Sequence, residues 1–227
     1  MRSVLRAAWI IARKDIRVEA RSRELVYTTI FFAIACVLVF SFAFVRDGRP
    51  IEHAAAGILW VAIVFAGTLA LARTFERERQ SQTLRALLAA PIERPAVYLG
   101  KLLALLLLLG VVEAVLVPVV GLLFWAPIGR APWLLAGLVV AGTVGFAAVG
   151  TLFAAMLVRA HSRDVLLPVV LYPIVVPVLI GGVQGTAAIF ADEPNLDLAR
   201  VWLTMLVFFD AVFVTLALWT FAPVMRD

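Results

Sequence analysis

The chain has 227 residues, of which 64% are hydrophobic and 15% charged, with a formal net charge of +5. A soluble domain carries about 45–50% apolar and about 25% charged residues, so this composition excludes an ordinary soluble core. Nearly all the Lys and Arg lie just outside apolar blocks, which makes them topological charges rather than a nucleic-acid surface.

The first 24 residues are basic and lack the continuous apolar run and small-residue cleavage site of a signal peptide, so they are expected to be retained. On a helical wheel Arg2, Arg6, Arg13, Lys14, Arg17 and Arg21 share one arc, and Val4, Leu5, Ala8, Ile11, Ala12, Ile16 and Val18 lie mostly opposite. That pattern predicts an interfacial amphipathic helix on the lipid bilayer. Asp15 and Glu19 fall on its apolar side and call for cationic or protein partners, which also suits a docking element for a cytoplasmic partner.

Six apolar blocks follow, spanning about 25–44, 54–72, 102–125, 133–158, 165–190 and 201–221. Each is long enough to cross about 30 Å of hydrocarbon at ~1.5 Å per residue. Backbone groups facing lipid must be paired within the segment, and period-two alternation is absent, so the spans are expected to be helices. The fold class is therefore all-α integral membrane, a single domain over 1–227. Cys36 is the one cysteine and lies in the first block, which excludes an intrachain disulfide and a cysteine metal site.

Alternating the spans puts seven Lys/Arg of the N-terminal segment, six of 73–101, two of 159–163 and one of the tail on one side, sixteen in all. Arg46, Arg49, Arg130 and Arg200 make four on the other. The positive-inside rule then places both ends and the 73–101 connection in the cytoplasm.

That connection is long where the others are short, which suggests a purpose. Ser81 or Thr83 can cap a short helix whose Leu84, Leu87 and Leu88 form an apolar stripe. Pro91 ends it, and Pro95 can open the helix that becomes the third span. A partner gripping the stripe would move the attached span as a lever.

An acidic cluster with Glu76 and Glu78, then Thr83-Leu84-Arg85 with Leu87-Leu88, Pro91 and Gly100-Lys101, resembles the permeases of type-2 ABC exporters. The runs Ala56 to Ala62, Leu69 to Phe75 and Leu167-Pro168 through Tyr172-Pro173 to Ile180 are similar, more particularly, to the CcmB family, the haem exporter permease of cytochrome c maturation. Gln82, Arg85 and Ala56 depart from the usual pattern. The resemblance implies six spans with a cytoplasmic coupling helix between spans two and three, whose contact residues would be Glu76, Glu78, Thr83, Leu84, Arg85, Leu87, Leu88 and Pro91. It implies a separate CcmA-like ABC ATPase subunit, a CcmC-like haem-handling subunit and a small single-span CcmD-like subunit. ATP would be consumed by the partner, haem would be the candidate substrate, and the location would be the bacterial inner membrane. A type-2 permease for a lipid or drug is the first alternative.

No phosphate-cradling loop surrounds Lys14 or Lys101, so energy must come from a partner or an ion gradient. The only histidines, His53 and His161, fall on opposite sides, which excludes a two-histidine site within one chain. His53, at the outer end of the second span, is the weak candidate for axial haem ligation, and Tyr172 fares no better. No cofactor is expected to be held directly.

Three features inside the spans remain. Glu113 and Asp210 are costly in hydrocarbon and must face the protein interior. They serve either a polar route or a helix-packing hydrogen bond, with Gln184 or a partner's side chain as acceptable mates. A membrane-embedded acid-dependent enzyme built on the two acids is the alternative of another class. Pro168, Pro173 and Pro177 should kink the fifth span, as a gate or as fixed shape at a subunit contact.

Overall fold

A computed structural model describes residues 2–46, 49–50, 54–74, 93–158 and 163–224. In chain order these form α1 (Arg2–Ser22), α2 (Glu24–Ala43), the two-residue strands β1 (Val45–Arg46) and β2 (Arg49–Pro50), α3 (Ala55–Arg73), α4 (Arg94–Phe124), α5 (Pro132–Met156), α6 (Arg163–Phe190) and α7 (Leu196–Val224). The strands make a minimal antiparallel ladder, Val45 opposite Pro50 and Arg46 opposite Arg49. Otherwise the described regular structure is helical, joined by short turns.

Six of the helices are long and apolar enough to cross a membrane: Glu24–Ala43, Ala55–Arg73, Arg94–Phe124, Pro132–Met156, Val165–Phe190 and Leu196–Phe221. In hydrocarbon no water competes for backbone groups, so a continuous apolar run settles into the structure that pairs them internally. The protein is thus a multi-pass helical membrane protein. Trp125 and Trp133 are exposed at the junction of α4 and α5, and Tyr27 and Trp219 are exposed at the opposite end, on α2 and α7. Two such aromatic girdles mark the two bilayer interfaces.

α5 and α3 occupy the centre, while α2 and α7 leave most of their surface outward. α5 can be central because most of its buried residues from 142 on are small: Gly142, Thr143, Gly145, Ala147, Ala148, Gly150, Thr151, Ala154 and Ala155. Small faces let neighbouring helices approach closely, which drives packing in lipid in the absence of a hydrophobic term. The core divides into two clusters along the membrane normal. One, with Leu71, Tyr98, Phe146 and Phe221, lies toward α1, and the other, with Leu59, Ile63, Leu116 and Leu138, lies toward the far interface.

α6 runs unbroken through Pro168, Pro173 and Pro177. Each ring removes a donor to the carbonyl four residues earlier, at Asp164, Val169 and Pro173. Pro173 and Pro177 lie on the exposed face with Val169, Val176 and Ile180. At the far interface Arg130 donates to the Ala191 carbonyl, and Asn195 Oδ1 caps α7 by accepting from the Leu198 amide at 2.9 Å.

Candidate functional site at the joint of the second and third spans

Lys101 is the node of the site. It sits two turns into α4 and is 2% exposed, yet its ammonium has specific partners. Nζ lies 2.9 Å from Asp15 Oδ2 on α1 and donates to the Thr74 carbonyl at the end of α3 over 3.1 Å. One buried cation therefore ties three helices together, and burial of that charge is tolerable only with such pairing. Thr74 is the last described residue before 75–92, and Glu93 is the first after it. The long connection thus leaves α3 at this joint and re-enters the described structure two turns ahead of Lys101 on α4.

α1 is held against α4 by shape as well as charge. Ala8, Ile11 and Ala12 are buried, and a Cβ added at Gly100 would lie 2.7 Å from Ile11 Cβ and 2.9 Å from the Ala8 carbonyl. Only a residue without a side chain lets the two backbones meet there. Leu5 and Val18, assigned to the apolar arc by the wheel, are exposed instead, together with Trp9 and Ile10. The apolar surface of α1 is divided: its centre packs on protein and its flanks face outward.

The joint between α1 and α2 is sharp. Arg23 adopts the left-handed region at φ 54° and offers no side-chain cap to α2. Glu19 supplies the cap from the previous helix, its Oε1 accepting from the Leu25 and Val26 amides at 2.9 and 3.1 Å. These are orphan donors of the first turn of α2, so the carboxylate meets the helix where its dipole is positive. The two acids that look misplaced on the wheel are therefore the attachments of α1 to α2, α3 and α4.

From the joint, packing runs inward along α3. Trp60 is 1% exposed and stands between α5 and α6, where Gly142 and Gly182 leave room for its ring. Its Nε1 donates to Thr186 Oγ1 at 3.0 Å, which satisfies the indole's only donor. Gly67 receives Phe146, and Gly150 receives Leu71, so α3 and α5 exchange large side chains for missing ones. Thr68 Oγ1 and Tyr172 OH, 3.3 Å apart, bond α3 to α6. Tyr98 OH donates to the Ala148 carbonyl at 3.0 Å and its ring packs on Phe221, 5.4 Å between centroids.

The intramembrane acids lie apart. Glu113 is buried on α4 and accepts a hydrogen bond from Thr143 of α5. Asp210 of α7 packs against Gly145, and its Oδ1 is buried with no hydrogen-bond partner among the described residues. Thr143 and Gly145 are two positions apart, about 200° around a helix, so the acids approach α5 from opposite sides. They do not share a site, which removes the geometric basis of a two-acid enzyme. Gln184 is exposed, so it is not the mate of either acid. Replacing Thr143 with valine should cost about 1–3 kcal/mol, the penalty for stranding a buried acceptor, and Glu113→Leu in the same chain should recover most of it, read by thermal unfolding in detergent.

The family "CcmB protein" matches residues 6–226. A "Heme exporter protein B" of Paracoccus denitrificans is 34% identical over 195 residues, covering 85% of this chain and 84% of the relative. The chain belongs to the CcmB family. A second such protein, from Rhodobacter capsulatus, is 31% identical over 175 residues, 75% of this chain and 79% of the relative. The Escherichia coli K12 relative of the same name is 30% identical over 96 residues, covering 42% of this chain and 44% of the relative.

In this CcmB chain Glu76, Glu78, Thr83, Leu84, Arg85, Leu87, Leu88 and Pro91, with the coupling helix expected there, lie outside the described residues, as do His53 and His161. Tyr172, the other weak haem candidate, has its hydroxyl within bonding distance of Thr68 in the helix packing. Sequence reasoning missed Lys101 and Trp60 as site residues. The signal for Lys101 was present, since Asp15 and Glu19 called for a cation and Gly100-Lys101 stood at the start of a span.

Proposed function

We propose that this CcmB chain is the membrane permease subunit of an ABC transporter complex acting in cytochrome c biogenesis. It lies in the bacterial inner membrane with both ends in the cytoplasm, is not itself an enzyme, and works with a CcmA-like ATPase, a CcmC-like haem-handling subunit and a CcmD-like single-span subunit. Haem is the candidate cargo, or the load of the chaperone that ATP-driven motion releases on the outer face. Family membership and the names of the relatives support this reading.

The observation that carries the mechanism is the Lys101 joint. A push on 75–92 arrives at Thr74 and Glu93, and the Asp15, Thr74 and Lys101 contacts spread it over α1, α3 and α4. Trp60, Leu71 and Phe146 interlock α3 with α5, so the motion continues into the bundle centre. Close-packed side chains transmit displacement because they cannot compress. In this reading Glu76, Glu78, Thr83, Leu84, Arg85, Leu87, Leu88 and Pro91 form the contact with the ATPase.

Replacing Leu84 and Leu87 with aspartate should release the ATPase from the purified complex while the permease remains in the membrane. Co-purification at the wild-type level would sink the assignment of this segment. The purified chain alone should show no ATP hydrolysis.

A further inference from the structure

A cavity of about 840 Å³ opens between α1, the start of α2, the end of α3 and the first half of α4. Its rim is charged and its wall is apolar. The wall runs from Leu25 and Leu69 near the rim to Phe31, Leu108 and Val111. From Lys101 to Val111 the α4 axis advances about 15 Å at ~1.5 Å per residue, which is about half of the hydrocarbon thickness. Phe31 and Val111 are exposed, so the trough is open sideways to the bilayer.

The rim holds Asp15, Glu19, Glu24, Arg73 and Lys101. Asp15 is committed to Lys101, and Glu19 to the Leu25 and Val26 amides. Glu24 and Arg73 are exposed, and neither side chain has a partner among the described residues. The rim therefore offers a ligand one carboxylate and one guanidinium. A guanidinium matches phosphate through paired N–H donors, and a carboxylate accepts from a primary ammonium.

We propose that this trough is a binding site for a single zwitterionic, amine-bearing phospholipid of the leaflet on the α1 side: phosphate on Arg73, ammonium on Glu24, one acyl chain along the apolar wall. An anionic headgroup meets Glu24 without compensation and is disfavoured. Two carboxylates on haem would meet the same obstacle. The lipid would brace α1 against α2, α3 and α4 at the joint described above.

The test uses the full chain, stripped of native lipid and reconstituted into nanodiscs of equimolar phosphatidylethanolamine and phosphatidylglycerol, then released into detergent for native mass spectrometry. One phosphatidylethanolamine should be retained in preference to phosphatidylglycerol by about threefold, the scale that a half-screened ion pair supplies. Glu24→Gln should bring the ratio to parity, Arg73→Gln should lower retention of both lipids by removing the phosphate contact they share while the preference persists, and both sites are exposed, so folding is not at stake. Ala104→Phe, which fills the trough, should remove the retained lipid. Equal retention of the two lipids by the wild type, a preference for phosphatidylglycerol, a preference that survives Glu24→Gln, or total retention unchanged by Arg73→Gln would overturn the proposal.

Discussion

Replacing Asp15 with alanine should destabilise the protein by about 3 kcal/mol, the lower end of the cost of removing one partner from a buried ion pair. The reason is the asymmetry of the pair: Lys101 is 2% exposed and Asp15 21%. Deleting the acid takes a carboxylate from an ammonium that is almost wholly buried, though the Thr74 carbonyl remains to it. Deleting the base is milder, because Asp15 keeps Lys14 at 3.1 Å and some solvent. Lys101→Met should therefore cost about 1–2 kcal/mol, mostly from the Thr74 carbonyl left without its donor. The double variant Asp15→Ala/Lys101→Met should be more stable than Asp15→Ala alone. Thermal unfolding in detergent, run as a double-mutant cycle, reads all three. If Lys101→Met proves the more damaging single change, the joint is not governed by the buried cation. Under the proposed function, the Asp15 variant should also weaken the link between ATP hydrolysis and transport, since the charge link from α1 to α4 and Thr74 would be gone.

The second large effect is expected at Trp60. Truncation to alanine should cost about 3–5 kcal/mol, combining lost contacts with a cavity between three helices that cannot collapse onto it. Gly142→Val should be comparably harmful, because the space its side chain needs is already filled by the indole. Combined, Trp60→Ala and Gly142→Val should cost clearly less than the sum, since the added methyls occupy part of the vacated volume. Additive losses would show that the two positions do not share one space. Gly182→Val offers an independent control on α6, because that glycine faces the same ring.

The residues differ in how far they could be understood from sequence. Asp15 and Glu19 are conspicuous on a helical wheel because an acid in an apolar arc needs a partner. Their partners are less visible: Lys101 lies 86 positions beyond Asp15, and the Leu25 and Val26 amides are backbone groups with no sequence signature. Trp60 stands in an apolar run where any large residue would satisfy the pattern. Its special position comes from Gly142 and Gly182, on two other helices, each of which reads alone as an ordinary small residue in a membrane span. Gln184 was an acceptable mate for the acids by residue type. The rotation of α6 turns it outward, while Thr143, a less obvious candidate, faces Glu113.

Hydrocarbon imposes a strong local rule, since every backbone group must find its partner within its own helix. Block length, helical class and the placement of Lys and Arg could therefore be read from the chain directly. Packing in lipid has no comparable local rule, because an apolar side chain is equally at home against a lipid tail or another helix. Which glycine receives Trp60, which cation meets Asp15, and on which sides of α5 the two acids lie are decided by helix rotation and shape, and those appear only in the tertiary structure.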